Sequence, residues 1–101
     1  MIVITEIIYA GGACPYQLEA QTSEGHYLYL RYRDGRLRAG TAPTEAQFGH
    51  RAEDYNIINE KVGEDLDGWA DHDKFMMLLK DKIKFPEEFV FKFESYDKSY
   101  L

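Results

Sequence analysis

From Tyr16 to Gly40, polar and apolar residues alternate in three runs separated by Ser23-Glu24-Gly25 and Asp34-Gly35, a pattern that restricts the segment to an antiparallel meander in one register. Asp-Gly suits a two-residue type I′ turn, which needs positive φ at both positions. That turn sets Arg33 opposite Arg36, Tyr32 opposite Leu37, Arg31 opposite Arg38 and Leu30 opposite Ala39. A three-residue loop at Ser23–Gly25, with Gly25 in the left-handed region, sets Leu18 opposite Leu30, Ala20 opposite Leu28 and Tyr16 opposite Tyr32. A two-residue loop would put Leu18 against Arg31 instead.

In this register one face gathers Tyr16, Leu18, Ala20, Leu28, Leu30, Tyr32, Leu37 and Ala39 as the wall of a core. The other face carries Gln17, Glu19, Gln21, Tyr27, Tyr29, Arg31, Arg33, Arg36 and Arg38. Two pairs of like charges then face each other, each destabilising the sheet by a few tenths to about 1 kcal/mol. An anion over them would offset that cost: the chain's own acidic segment, a partner's carboxylates, or phosphates.

The remaining pattern predicts an α+β fold. It is an antiparallel meander of about five to six strands packed against one helix in the C-terminal half, with a short helix near 44–51. Ile2–Tyr9 is β-rich and apolar on both sides, as in a centrally buried strand. Thr44-Glu45-Ala46-Gln47 has the spacing of a capping box, and Tyr55–Val62 reads as a strand. Phe75, Met76, Leu79 and Ile83 recur at helical spacing behind Asp71, an N-cap residue, and Lys80, Lys82 and Lys84 suit the carboxyl end of the helix dipole. After Pro86, Phe89–Glu94 alternates phenylalanine with mixed residues, which predicts a closing strand.

The 101 residues form one domain, long enough to bury a modest core without disulfides or metal. Cys14 is the single cysteine, which excludes an internal disulfide. No segment is apolar over a bilayer's width: the longest apolar-rich stretch, Ile2–Ala10, is short and carries Glu6. Gly11-Gly12-Ala13-Cys14 resembles a lipoprotein cleavage box but has Gly11 where an aliphatic residue belongs, so the expectation is an unprocessed cytoplasmic chain with no membrane partner.

Charge is distributed unevenly. The chain holds 18 acidic and 12 basic side chains, net −6, which opposes general attraction to nucleic acid. Residues 1–41 balance four acids with four arginines, whereas residues 53–73 hold eight acids against Lys61 alone, a local −7. That acidic stretch contains Glu53, Asp54, Glu64, Asp65 and Asp67, with Trp69 among them.

Asp65, Asp67, Asp71, His72 and Asp73 have hard-metal ligand types, but the calcium-loop pattern fails: Trp69 sits at the fifth position, Gly68 arrives two residues early and Met76 replaces the bidentate glutamate. No cofactor or metal is expected. Cys14 after a glycine pair, with His26, His50 or His72 as base, gives the alternative of a small thiol enzyme. Tyr27, Tyr29 and the four arginines give a second alternative, a single-strand nucleic-acid binder that stacks bases and holds phosphates. Gly25-His26-Tyr27-Leu28-Tyr29 nevertheless departs from the ribonucleoprotein signature, and the βαββαβ order is absent.

Cys14-Pro15-Tyr16-Gln17-Leu18-Glu19, followed by Tyr29-Leu30-Arg31-Tyr32-Arg33-Asp34-Gly35, is similar to small accessory proteins encoded by bacteriophages and prophages, over roughly the first forty residues. The resemblance implies no catalytic residue and no cofactor. It implies a protein that acts by occupying a host or phage protein, as an inhibitor or anti-defence factor. On this reading the chain is not an enzyme. Glu53, Asp54, Glu64, Asp65, Asp67 and Trp69 dock on a basic surface, and Tyr27, Tyr29, Arg31, Arg33, Arg36 and Arg38 form a second contact or a homodimer surface.

Overall fold

A computed structural model describes residues 1–12, 15–62 and 72–92. The strands are β1 (Ile2–Gly11), β2 (Tyr16–Thr22), β3 (Tyr27–Arg33), β4 (Arg36–Ala42), β5 (Ile58–Lys61) and β6 (Ile83–Lys84), and the helix is α1 (His72–Leu79). They form one sheet in the order β5-β4-β3-β2-β1-β6. All neighbours are antiparallel except β1 and β6, which run parallel at Ile2↔Ile83 and Val3↔Lys84. The fold is α+β and sheet-dominated, as the sequence predicts.

Turn chemistry sets the register of the meander. Asp34 and Gly35 both take positive φ, 54° and 77°, and the ladder beyond them pairs Arg33↔Arg36, Arg31↔Arg38 and Leu30↔Ala39. At the other turn Gly25 takes φ 78° and its N–H donates to the Thr22 carbonyl. Leu18 therefore faces Leu30, and Tyr16 faces Tyr32. The inner face is the core: Tyr16, Leu18, Ala20, Leu28, Leu30, Leu37 and Ala39 are fully buried, with Tyr32 all but so. Each of those leucines stabilises the fold by about 1.5–3 kcal/mol relative to exposure.

α1 covers this wall with Phe75 and Leu79, both fully buried. Phe75 meets Tyr32 edge-on at 4.9 Å and Phe91 at 5.3 Å. Lys74 donates to the Val62 carbonyl, tying the helix to the end of β5. The helix is shorter than its periodicity suggests. Ile83 belongs to β6, because the chain tightens after Leu79, with the Lys82 N–H bonding the Leu79 carbonyl, and turns to pair with β1. Asp71, the expected cap, lies outside the described residues.

Three further expectations are corrected. β1 is not central: it lies between β2 and the two-residue β6, and Ile8 and Tyr9 are about half exposed. Two register irregularities, between Ile4 and Glu6 and between Ile7 and Tyr9, break its face alternation as bulges do. The segment Phe89–Lys92 forms no strand. Its alternation reports side-chain packing instead, since Phe91 is buried against Phe85 and Tyr16 while Val90 is exposed; residues 93 and 94 lie outside the described residues. The helix expected near 44–51 is replaced by two 3-10 turns, Glu45–Gln47 and Ala52–Asp54. Thr44 spends its hydroxyl on Gln47 Oε1 rather than on backbone.

Candidate protein-interaction face

The outer face of β3, β4 and β5 is built by two different means. At its upper end the segment 43–57 folds back over the sheet, and Tyr27, Tyr29, Ala42, Phe48 and Tyr55 form a second, all but closed cluster. Phe48 meets the Tyr27 ring at 5.9 Å, the Tyr29 ring at 5.4 Å and the Tyr55 ring at 5.6 Å. Gly40 makes this possible. A Cβ there would collide with the Asp54 carbonyl oxygen and press on Phe48, so the strand and the second 3-10 turn approach as only glycine permits. Asp54 holds that turn closed by accepting from the Gly49 and Arg51 N–H groups, both at 3.1 Å.

Tyr27 and Tyr29 are thus 2 and 3 % exposed, and their assignment as contact residues is corrected: they are the floor beneath Phe48. Tyr27 donates its hydroxyl to Glu19 Oε1 at 2.9 Å. Glu53 and Asp54 are also accounted for locally, through Arg51 Nε at 3.4 and 3.7 Å. Glu64, Asp65, Asp67 and Trp69, like Cys14, lie outside the described residues.

At the lower end the face carries the arginines. Arg31 faces Arg38 and Arg33 faces Arg36, with Lys61 opposite Arg36 on the neighbouring strand. Arg33 Nε lies 3.7 Å from Asp34 Oδ2, a loose and solvent-exposed pair of little energetic consequence. Arg36 donates to Asn59 Oδ1 at 3.1 Å. The Arg38 guanidinium sits 5.8 Å from the centroid of the Tyr55 ring, within cation–π range. Arg31 Nε is closed off from water with no acceptor. Among the described residues, neither Arg31 nor Arg38 has a carboxylate partner.

Sequence reasoning missed Phe48, Tyr55 and the role of Gly40. The signal was present: a glycine inside a strand pattern indicates close approach of other backbone. His50, a candidate base by sequence, packs instead against this aromatic cluster. It takes φ 58° and places its ring 4.5 Å from Tyr29.

Among the described residues no group of three or more histidine, cysteine or acidic side chains could hold a metal ion, and no helix is long and apolar enough to cross a membrane. The chain matches no protein-family model, no curated protein and no solved structure.

The buried phenols make a pH prediction. Burial pushes Tyr16 up to about 12, despite the backbone of Lys92 nearby. Tyr27 is raised by burial and then by its bond to Glu19, and Tyr29 by burial, which outweighs the opposing pull of Arg31. The folded chain keeps protons that the unfolded chain, with phenols near 10.0, gives up. For Tyr16 the contribution is therefore complete below about pH 10 and is lost as pH rises from there to about 12, by about 1.4 kcal/mol per pH unit, with Tyr27 and Tyr29 acting in the same direction. Urea midpoints measured on either side of pH 10 should diverge, with Tyr16→Phe flattening the dependence. Equal midpoints would refute the burial argument.

Proposed function

We propose that this chain is a non-enzymatic protein-binding module whose contact surface is the arginine face of β3, β4 and β5. One observation carries the reading: Arg31 and Arg38 stand opposite each other on the outer face with no carboxylate partner among the described residues, in a protein of net charge −6. A sheet that tolerates facing like charges gives up stability for them, and a partner's anionic surface recovers it. Arginine beside tyrosine, here Arg38 over Tyr55, is also the composition of interface hot spots. The resemblance to phage accessory proteins makes a host protein the partner class, occupied rather than turned over.

The nucleic-acid reading is weaker on this geometry. Its stacking residues, Tyr27 and Tyr29, lie under Phe48.

The test exploits opposite signs. The double variant Arg31→Gln/Arg38→Gln relieves the facing charges, so its stability should rise by a few tenths to about 1 kcal/mol. Its affinity for a captured partner should fall at least about tenfold, as when charged anchors are lost from an interface. Denaturation curves and quantitative capture measure the two effects on the same sample. Undiminished capture by the folded double variant would sink the proposal.

A further inference from the structure

The arginine face is not uniform, and the difference identifies what it takes. Arg33 and Arg36 already have neighbours in Asp34 and Asn59. Arg31 and Arg38 are directly opposite each other, neither has a carboxylate partner among the described residues, and the Arg38 guanidinium stands over the Tyr55 ring. Two polar atoms of this patch are shut off from water with no hydrogen-bond partner, Arg31 Nε and the Tyr55 hydroxyl.

We propose that the Arg31 and Arg38 pair, with the Tyr55 ring supporting Arg38, is a binding site for a phosphate monoester and takes a phosphorylated side chain of the protein partner. This rests on the protein-binding reading and specifies its anchor. The argument is one of charge and acceptor count. Two arginines paired across neighbouring strands call for about two negative charges on one group, and a phosphate monoester carries about −1.5 to −2 near neutral pH with three acceptor oxygens. A carboxylate or a phosphodiester supplies one charge. Guanidinium forks match phosphate oxygens in bidentate geometry, and such charge-assisted bonds are about twice as strong as neutral ones. A small rotation of Arg31 toward the oxyanion also gives its Nε–H an acceptor. The net −6 of the chain opposes a polyanion while leaving a single dianion at this spot well favoured.

The experiment titrates the isotopically labelled full chain with phenyl phosphate, inorganic phosphate, acetate and a thymidine oligonucleotide at constant ionic strength, following the arginine Nε–H resonances. Saturable shifts at Arg31 and Arg38 are expected with both phosphates, with phenyl phosphate at least about tenfold tighter than acetate. Affinity should fall about tenfold from about pH 7.5 to about pH 5, as the monoester takes its second proton near 6. Arg31→Gln/Arg38→Gln should abolish the shifts, and Arg33→Gln/Arg36→Gln should keep them. Non-saturating shifts, equal affinity for acetate, or tighter binding of the oligonucleotide than of phenyl phosphate would each overturn the site. A partner that is lost with Arg31→Gln/Arg38→Gln yet still captured after phosphatase treatment would overturn the phosphate assignment while leaving the protein-binding surface standing.

Discussion

Phe75→Ala is expected to remove about 3–5 kcal/mol of stability, a large share of the 5–15 kcal/mol that holds a domain of this kind together. Phe75 has no exposed surface and joins the only helix among the described residues to the sheet through the edges of Tyr32 and Phe91. Phe91 in turn packs on Tyr16. Truncation therefore leaves a cavity against the Tyr32 and Phe91 rings, and Phe91 is itself held by Tyr16, Phe85 and Phe89, so walls of that sort collapse poorly into the space. Urea denaturation should show the midpoint falling with an unchanged slope. Met77→Ala, two residues on and on the opposite, exposed side at 70 %, provides the contrast and should be near neutral. A loss below about 1 kcal/mol for Phe75→Ala would mean that the helix does not depend on this face of the sheet.

Gly40→Val acts on the opposite face. Its Cβ has no room between the strand and the Asp54 carbonyl, so the second 3-10 turn must lift, at an overpacking cost of about 1–3 kcal/mol. For a domain of this size that is a fall of roughly 4–8 °C in Tm per kcal/mol. The structural consequence is more informative than the temperature. Lifting the turn draws Phe48 and Tyr55 away from Tyr27 and Tyr29, so amide hydrogen exchange in residues 45–55 should accelerate. Gly25→Ala separates the two effects: its Cβ meets open space, and the variant carries only the strain of a φ of 78°. Unchanged exchange in 45–55 for Gly40→Val would show that Gly40 is not what admits the covering segment. The same variant removes the Tyr55 platform under Arg38, so the proposed phosphate site should weaken with it.

The parts of this fold that could be read from sequence are those in which a local rule and a long-range rule agree. Asp34-Gly35 specifies a turn, the turn specifies the pairing, and the pairing puts every leucine of the meander on one side. No second solution satisfies both conditions. The misread parts obeyed one rule alone. Ile2–Tyr9 has strand propensity, but the bulges at Thr5 and Ile8 carry no residue signature that distinguishes them from a regular strand. Phe89–Lys92 shows the alternation of a strand because an extended chain packing rings on a core alternates as well, with or without ladder hydrogen bonds. Ile83 fits the helical repeat and yet serves a strand, since an apolar residue four positions on is welcome in either.

The arginines were legible as a stripe, whereas the burial of Tyr27 and Tyr29 was not. Nothing periodic in residues 43–57 indicates that Phe48 and Tyr55 fold back. That placement depends on a missing side chain at Gly40 and on one carboxylate, Asp54, bonding two backbone N–H groups. A covering loop is specified by such singular contacts, which leave little trace in composition.

The parallel clasp of β1 on β6 has a consequence for how the chain acquires its form. Every other ladder joins strands that are successive in sequence, across closures ranging from a two-residue hairpin to the 43–57 excursion, whereas this one joins Ile2 to Ile83. The entropy of closing so long a loop falls on a contact of two residues, which is affordable only once the intervening chain is already ordered. Loop-closure entropy therefore predicts that the clasp zips last and frays first, with β1 reaching its final neighbour only when the rest of the architecture has formed.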